Sequence, residues 1–65
     1  MSIYVVTGYY DTVWEQDQDV FVDYDRALSY ANEVNDGVYC HVEIKTFELQ
    51  FDGTYEETLC VRLAL

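Results

Sequence analysis

Two runs of alternating apolar and polar residues meet at Asp52-Gly53, and no other feature restricts the fold of this chain as much. Before the turn, Val38, Cys40, Val42 and Ile44 alternate with Tyr39, His41, Glu43 and Lys45. The phase then changes, and Phe47, Leu49 and Phe51 become the apolar positions. After the turn, Leu59, Val61, Leu63 and Leu65 share one face of a strand running from Tyr55 to Leu65. Alternation with period two marks a strand with one buried face. Asp-Gly between two such runs is a strong hairpin signal. Treated as a two-residue loop, Asp52-Gly53 sets Ile44 opposite Val61 and Val42 opposite Leu63. Phe47, Leu49 and Phe51 then fall on the other face, opposite Thr58, Glu56 and Thr54, as an apolar stripe that wants a partner. A bulge at Lys45-Thr46 is the alternative, and it would return both apolar sets to one core. Both readings stand at this point.

The first segment, Ser2 to Tyr10, is β-branched and aromatic throughout, which suits a central strand with Gly8 marking a bulge or bend. Residues Asp11 to Asp19 read as a connection, and Val20-Phe21-Val22 as a short second strand forming a hairpin with the first. Asp23 is suited to cap a helix over about residues 24–35, with Asp25 in its first turn. Ala27, Leu28, Ala31 and Val34 or Asn35 form its inner face, Tyr30 and Glu33 fall to the side or outward, and Asn35-Asp36-Gly37 supplies the stop. The expectation is one α+β domain over residues 1–65. Its order is ββαββ, an antiparallel sheet of about four strands with one helix on one face.

Chemistry finds little purchase. Cys40 and His41 are neighbours on a strand and point to opposite faces, so they make no dyad. The hairpin register sets Cys60 opposite Lys45 and Cys40 opposite Leu65, so both thiols are expected to be reduced. A calcium loop begun at Asp17 fails at Phe21, Val22 and Leu28, and one His with two separated Cys makes no zinc site. The sequence therefore predicts a protein without catalytic, metal or cofactor site. No apolar run is long enough to span a membrane and no basic leader precedes one, which predicts cytoplasmic residence.

The strongest remaining signal is charge. Thirteen carboxylates face three basic residues, for a net charge of −10 on 65 residues. That field argues against direct binding to nucleic-acid phosphates or anionic membrane. It favours a basic protein or nucleoprotein as partner. Mutual repulsion should also raise carboxyl pKa values in the folded state. Residues 1–25 hold six carboxylates and no Lys or Arg, interleaved with aromatics. Tyr10, Asp11, Trp14, Glu15, Asp17 and Asp19 are accordingly the expected contact surface, lying in the exposed connection. A second surface combines an outward acidic row, Glu43, Glu48, Glu56 and Glu57, with the stripe Phe47, Leu49 and Phe51. Alternate strand residues repeat at about 6.6–6.8 Å, a spacing at which carboxylates can stand in for phosphates in a groove built for DNA or RNA.

The opening strand Ser2-Ile3-Tyr4-Val5-Val6-Thr7 is followed by Val20-Phe21-Val22-Asp23, the helix Arg26-Ala27-Leu28-Ser29-Tyr30-Ala31, and then a hairpin. This pattern resembles small acidic phage-encoded proteins. Several of these block host nucleases or other defence machinery, as anti-CRISPR and anti-restriction proteins do, and some are DNA mimics. The resemblance implies a non-enzymatic inhibitor of a nucleic-acid-handling host enzyme or defence complex. It assigns no role to any residue. An antitoxin-like or assembly partner, binding through the apolar sheet surface, is the alternative. The surplus of apolar and tyrosine surface also predicts a homodimer.

Overall fold

The computed structural model describes residues 1–10, 16–37 and 39–63. Four antiparallel strands and one helix follow in the order β1 (Ser2–Tyr9), β2 (Gln16–Phe21), α1 (Tyr24–Val34), β3 (His41–Leu49) and β4 (Tyr55–Leu63). The sheet order is β2-β1-β3-β4, so the apolar first strand is central and β2 and β4 are its edges. This is the expected ββαββ arrangement.

The helix begins where a short carboxylate can cap it. Asp23 is extended, and its Oδ1 accepts from the Asp25 N–H at 3.0 Å. It ends at Asn35, whose N–H donates to the Ala31 carbonyl, and Gly37 takes the positive φ of +105° that follows the stop. Ala27 and Ala31 lie one turn apart on its buried face. Having only methyl side chains, they let the helix approach Val6, Val42 and Ile44, and these five residues form the fully buried core. Tyr4, Phe21, Leu28, Tyr30, Val34, Tyr39 and Leu63 ring it. Tyr30 takes the side position of the two expected of it and packs against the core from the helix flank.

Strand β3 keeps one phase from His41 to Leu49, with Ile3 opposite Phe47, Val5 opposite Lys45 and Val6 opposite Ile44 on β1. Of the two readings left open, the bulge at Lys45-Thr46 is therefore not the one β3 follows, and Phe47 and Leu49 lie on the face opposite Ile44. A bulge falls on β4, where Thr46 pairs with Leu59 but Phe47 pairs with Glu57, leaving Thr58 as the extra residue. The turn is also one residue longer than expected. Gln50 and Thr54 close it, with the Gln50 N–H donating to the Thr54 carbonyl at 2.7 Å and the Gly53 N–H to the Gln50 carbonyl at 3.1 Å. Gly53 has φ +87°, the left-handed residue that a three-residue hairpin loop needs. The longer turn shifts the register one way and Thr58 shifts it back. Ile44 still meets Val61, and Val42 still meets Leu63. Between turn and bulge the pairing differs from expectation: Phe47 faces Glu57, Leu49 faces Tyr55, and Phe51 lies in the turn, fully exposed.

Two further expectations change. Gly8 makes no bulge, because it pairs in unbroken register with Asp17 on one side and Val42 on the other. Residues Gln16 to Asp19 are not a connection but most of β2. They carry no apolar residue, and their strand conformation comes from pairing with β1. No helix among the described residues is long and apolar enough to cross a membrane.

Candidate functional site: a tyrosine-held carboxylate pair on the helix side

Parity along β2 places Asp17 and Asp19 on the same face as Phe21, beside Gly8 and Val6 of β1 and under the helix side of the sheet. Three tyrosines from three parts of the chain reach this pair. The Tyr10 hydroxyl donates to Asp17 Oδ2 at 2.6 Å, and the Tyr39 hydroxyl donates to the same oxygen at 2.8 Å. The Tyr30 hydroxyl donates to Asp19 Oδ2 at 2.8 Å.

Gly8 explains how Tyr39 gets there. A Cβ at Gly8 would come within 2.7 Å of the Tyr39 ring carbons, so the ring lies directly over the glycine backbone. Gly8 is also the cross-strand partner of Asp17. A ring seated on Gly8 therefore carries its hydroxyl to the neighbouring carboxylate. Tyr10 and Tyr39 are in ring contact at 4.9 Å, and Phe21 and Tyr30 at 5.4 Å, which supports all three donors from the side.

The electrostatics follow from these bonds. Donation from Tyr10, then from Tyr39, holds the Asp17 carboxyl below its ordinary value. The same bond to Asp17 pushes the Tyr39 hydroxyl strongly upward, and the bond to Asp19 raises Tyr30, with the charges of Asp17 and Glu33 adding to it. The charge excess of the sequence predicts raised carboxyl values. At Asp17 the direction is the reverse, and likewise at Asp52, where Thr54 donates from its hydroxyl and its N–H. Specific donors in contact outweigh diffuse repulsion from exposed charges that water and salt screen. Glu33 and Asp36 line a shallow depression with Val34 and Tyr39, extending the anionic surface to the helix end.

Of the expected contact residues, the structure brings together Tyr10, Asp17 and Asp19. Asp11, Trp14 and Glu15 lie outside the described residues. Tyr30, Tyr39 and Gly8 belong to the site although sequence reasoning did not select them. A lone glycine within an otherwise bulky strand was the available signal, since it can mark close approach as well as a bulge.

The second expected surface divides. Glu43, Glu48, Glu56 and Glu57 do not form one row. Glu48 and Glu56 are paired to each other, with Glu48 on the parity of Ile44 and Thr46, and Glu48 accepts a hydrogen bond from the Ser2 hydroxyl. Glu43 and Glu57 lie on the opposite face with Phe47 and Leu49. The phase kept along β3 is what separates them. On that opposite face His41 stacks on Tyr9 at 4.4 Å, and its Nε2 lies 3.4 Å from Glu43 Oε1. Cys60 faces Lys45, as the register requires, and both cysteines are exposed thiols outside any disulfide. Desolvation first, then the charges of Glu43 and Glu57, raise the Cys60 thiol, the opposite of what activates a nucleophile. Among the described residues no group of three His, Cys, Asp or Glu side chains is placed to hold a metal ion.

No protein-family model matches this chain, and no curated protein or solved structure is similar enough to it to count as a match. The functional reading therefore rests on the residues themselves.

Proposed function

We propose that this chain is a non-enzymatic acidic binding protein. It inhibits a nucleic-acid-handling host enzyme or defence complex in the cytoplasm by occupying a basic groove. The observation that carries the reading is the carboxylate pair Asp17 and Asp19, held on one face of an edge strand by the hydroxyls of Tyr10, Tyr39 and Tyr30. A pair fixed in this way, with Asp17 kept ionised, loses little freedom when a basic partner closes on it. Carboxylates at alternate strand positions stand about 6.6–6.8 Å apart, a scale that suits lysines and arginines arranged for a phosphate backbone. The half-buried tyrosine rings supply rigid anchors between the charges. The remaining carboxylates steer the encounter and make it salt-sensitive.

The test immobilises the chain, exposes it to a bacterial lysate and identifies the retained proteins by mass spectrometry. Excess DNA or RNA should displace them, and retention should fall steeply with salt. A variant carrying Asp11→Asn, Glu15→Gln, Asp17→Asn and Asp19→Asn should lose most retention, since the amides keep size and remove charge. If that variant retains the same proteins with unchanged salt dependence, the phosphate-mimic reading fails at this surface.

A further inference from the structure

The helix covers one face of the sheet, and its packing partners are β1, β3 and β2. The other face has no second layer of secondary structure among the described residues. Parity and register place Ile3, Val5, Val20, Phe47 and Leu49 there. Val20 is 62% exposed and Leu49 44%, Ile3, Val5 and Phe47 are half-buried, and Thr7 on the same face is fully buried. From this face we infer that the protein forms a homodimer in which the open faces of two copies pack against each other. The inference does not depend on the proposed function.

Charge selects a second copy as the occupant. A chain of net charge −10 repels its own kind over most of its surface. Among the described residues, the open face holds two carboxylates, Glu43 and Glu57, and two of the three basic side chains, Lys45 and Arg62. It is therefore neutral as well as apolar. A basic target gains more on the helix side, where Asp17, Asp19, Glu33 and Asp36 gather around the tyrosines. Two identical chains can approach through the neutral face without bringing like charge into contact, and a two-fold arrangement lets the Glu43 and Glu57 of one copy meet the Lys45 and Arg62 of the other.

The dimensions also fit. The fold measures 38 × 25 × 15 Å. Its broad face offers roughly 900 Å², against the roughly 800 Å² per partner of an ordinary stable interface. Sheets packed face to face stand about 10 Å apart with interleaved side chains, and Phe47, Val5 and Ile3 are large enough to fill that gap. The two helices and both carboxylate pairs would then point outward in opposite directions.

Sedimentation equilibrium from micromolar to high micromolar concentration tests this on the full chain. The expected result is a species of twice 7.6 kDa, whose association strengthens with added salt because the residual repulsion between the copies is screened. Val20→Glu and Arg62→Glu each place new negative charge on the face. Both positions are exposed, so the fold should persist by circular dichroism. Each should weaken dimerisation by about ten-fold or more. Glu33→Lys, on the helix side, should leave it no weaker. A monomer across the whole range overturns the proposal, as does a dimer that Val20→Glu and Arg62→Glu leave unchanged.

Discussion

The two faces of one sheet solve the problem of negative charge in opposite ways. On the helix side the carboxylates are kept and organised: Asp17 and Asp19 accept from tyrosines and stand at fixed positions. On the open side charge is balanced and diluted, with Glu43 against His41 and across from Arg62, and Lys45 within 6.0 Å of the Tyr9 ring centre. The difference teaches that a net charge says little about where a small protein is charged. Strand parity sorts residues between two surfaces, and a single sequence segment such as Glu43 to Leu49 contributes to both.

The sharpest way to break the contrast is at Gly8. Gly8→Ala drives a methyl into the Tyr39 ring, at 2.7 Å in the present packing. The ring must move off the sheet and lose Asp17. Overpacking of this kind costs about 1–3 kcal/mol, and urea melts should register it. Spectrophotometric titration should show Tyr39 ionising closer to the ordinary tyrosine value. If both measurements match the parent chain, the ring does not depend on the glycine.

A smaller change of opposite sign is expected at Thr7, on the parity of the open face. Thr7 is fully buried between Gln18 and Glu43, and its hydroxyl has no hydrogen-bond partner among the described residues. Thr7→Val keeps the shape and removes an unsatisfied polar atom, so stability should rise by about 1 kcal/mol. A loss of stability on denaturant titration would mean that the hydroxyl is satisfied after all.

The smallest effect is in pH. The folded pKa values of Asp17 and Asp52 are depressed, so their contributions are fully present above the unfolded carboxyl value of about 4 and are lost as pH falls through the folded values. Tyr39 and Tyr30 are raised, so theirs are present below about pH 10 and are lost as pH rises through the folded values. These four groups give no slope between roughly pH 5 and 9. Both carboxylates are fully exposed, so the acid limb should be shallow. Thermal melts of the parent and of Asp17→Asn isolate the contribution of Asp17. Identical acid and alkaline limbs in the two proteins would remove the tyrosine–carboxylate bonds from the account.

What could be read from the sequence was local. The cap at Asp23, the stop at Gly37 and the alternation around Ile44 and Val61 are short-range signals, and the helix and the late hairpin follow from them. The register of Leu59 to Leu63 was legible although the turn length was not, because Thr58 restores what the longer turn displaces. Strand β2 was hidden because Gln16, Asp17, Gln18 and Asp19 show no alternation of hydropathy; an edge strand can be wet on both faces when its neighbour supplies the order. The tyrosine contacts were hidden for another reason. Gly8, Asp17 and Tyr39 meet only once the sheet and the loop after the helix are in place, and no spacing along the chain encodes that meeting.

The bulge at Thr58 reaches beyond register. Among the described residues strand β4 is an edge whose outer side pairs with no other strand, and Leu59 on it is 56% exposed. A straight strand of nine residues ending in Leu59-Cys60-Val61-Arg62-Leu63 would be a template for further strands, and so for fibril growth. One extra residue bends that template at its midpoint, and Glu56 and Glu57 put charge beside the bend. Removing Thr58 would leave Thr46 beside Leu59 and Phe47 beside Glu57, so the folded chain would change little. The consequence would appear at high concentration and over days, as a shortened lag before fibrils form.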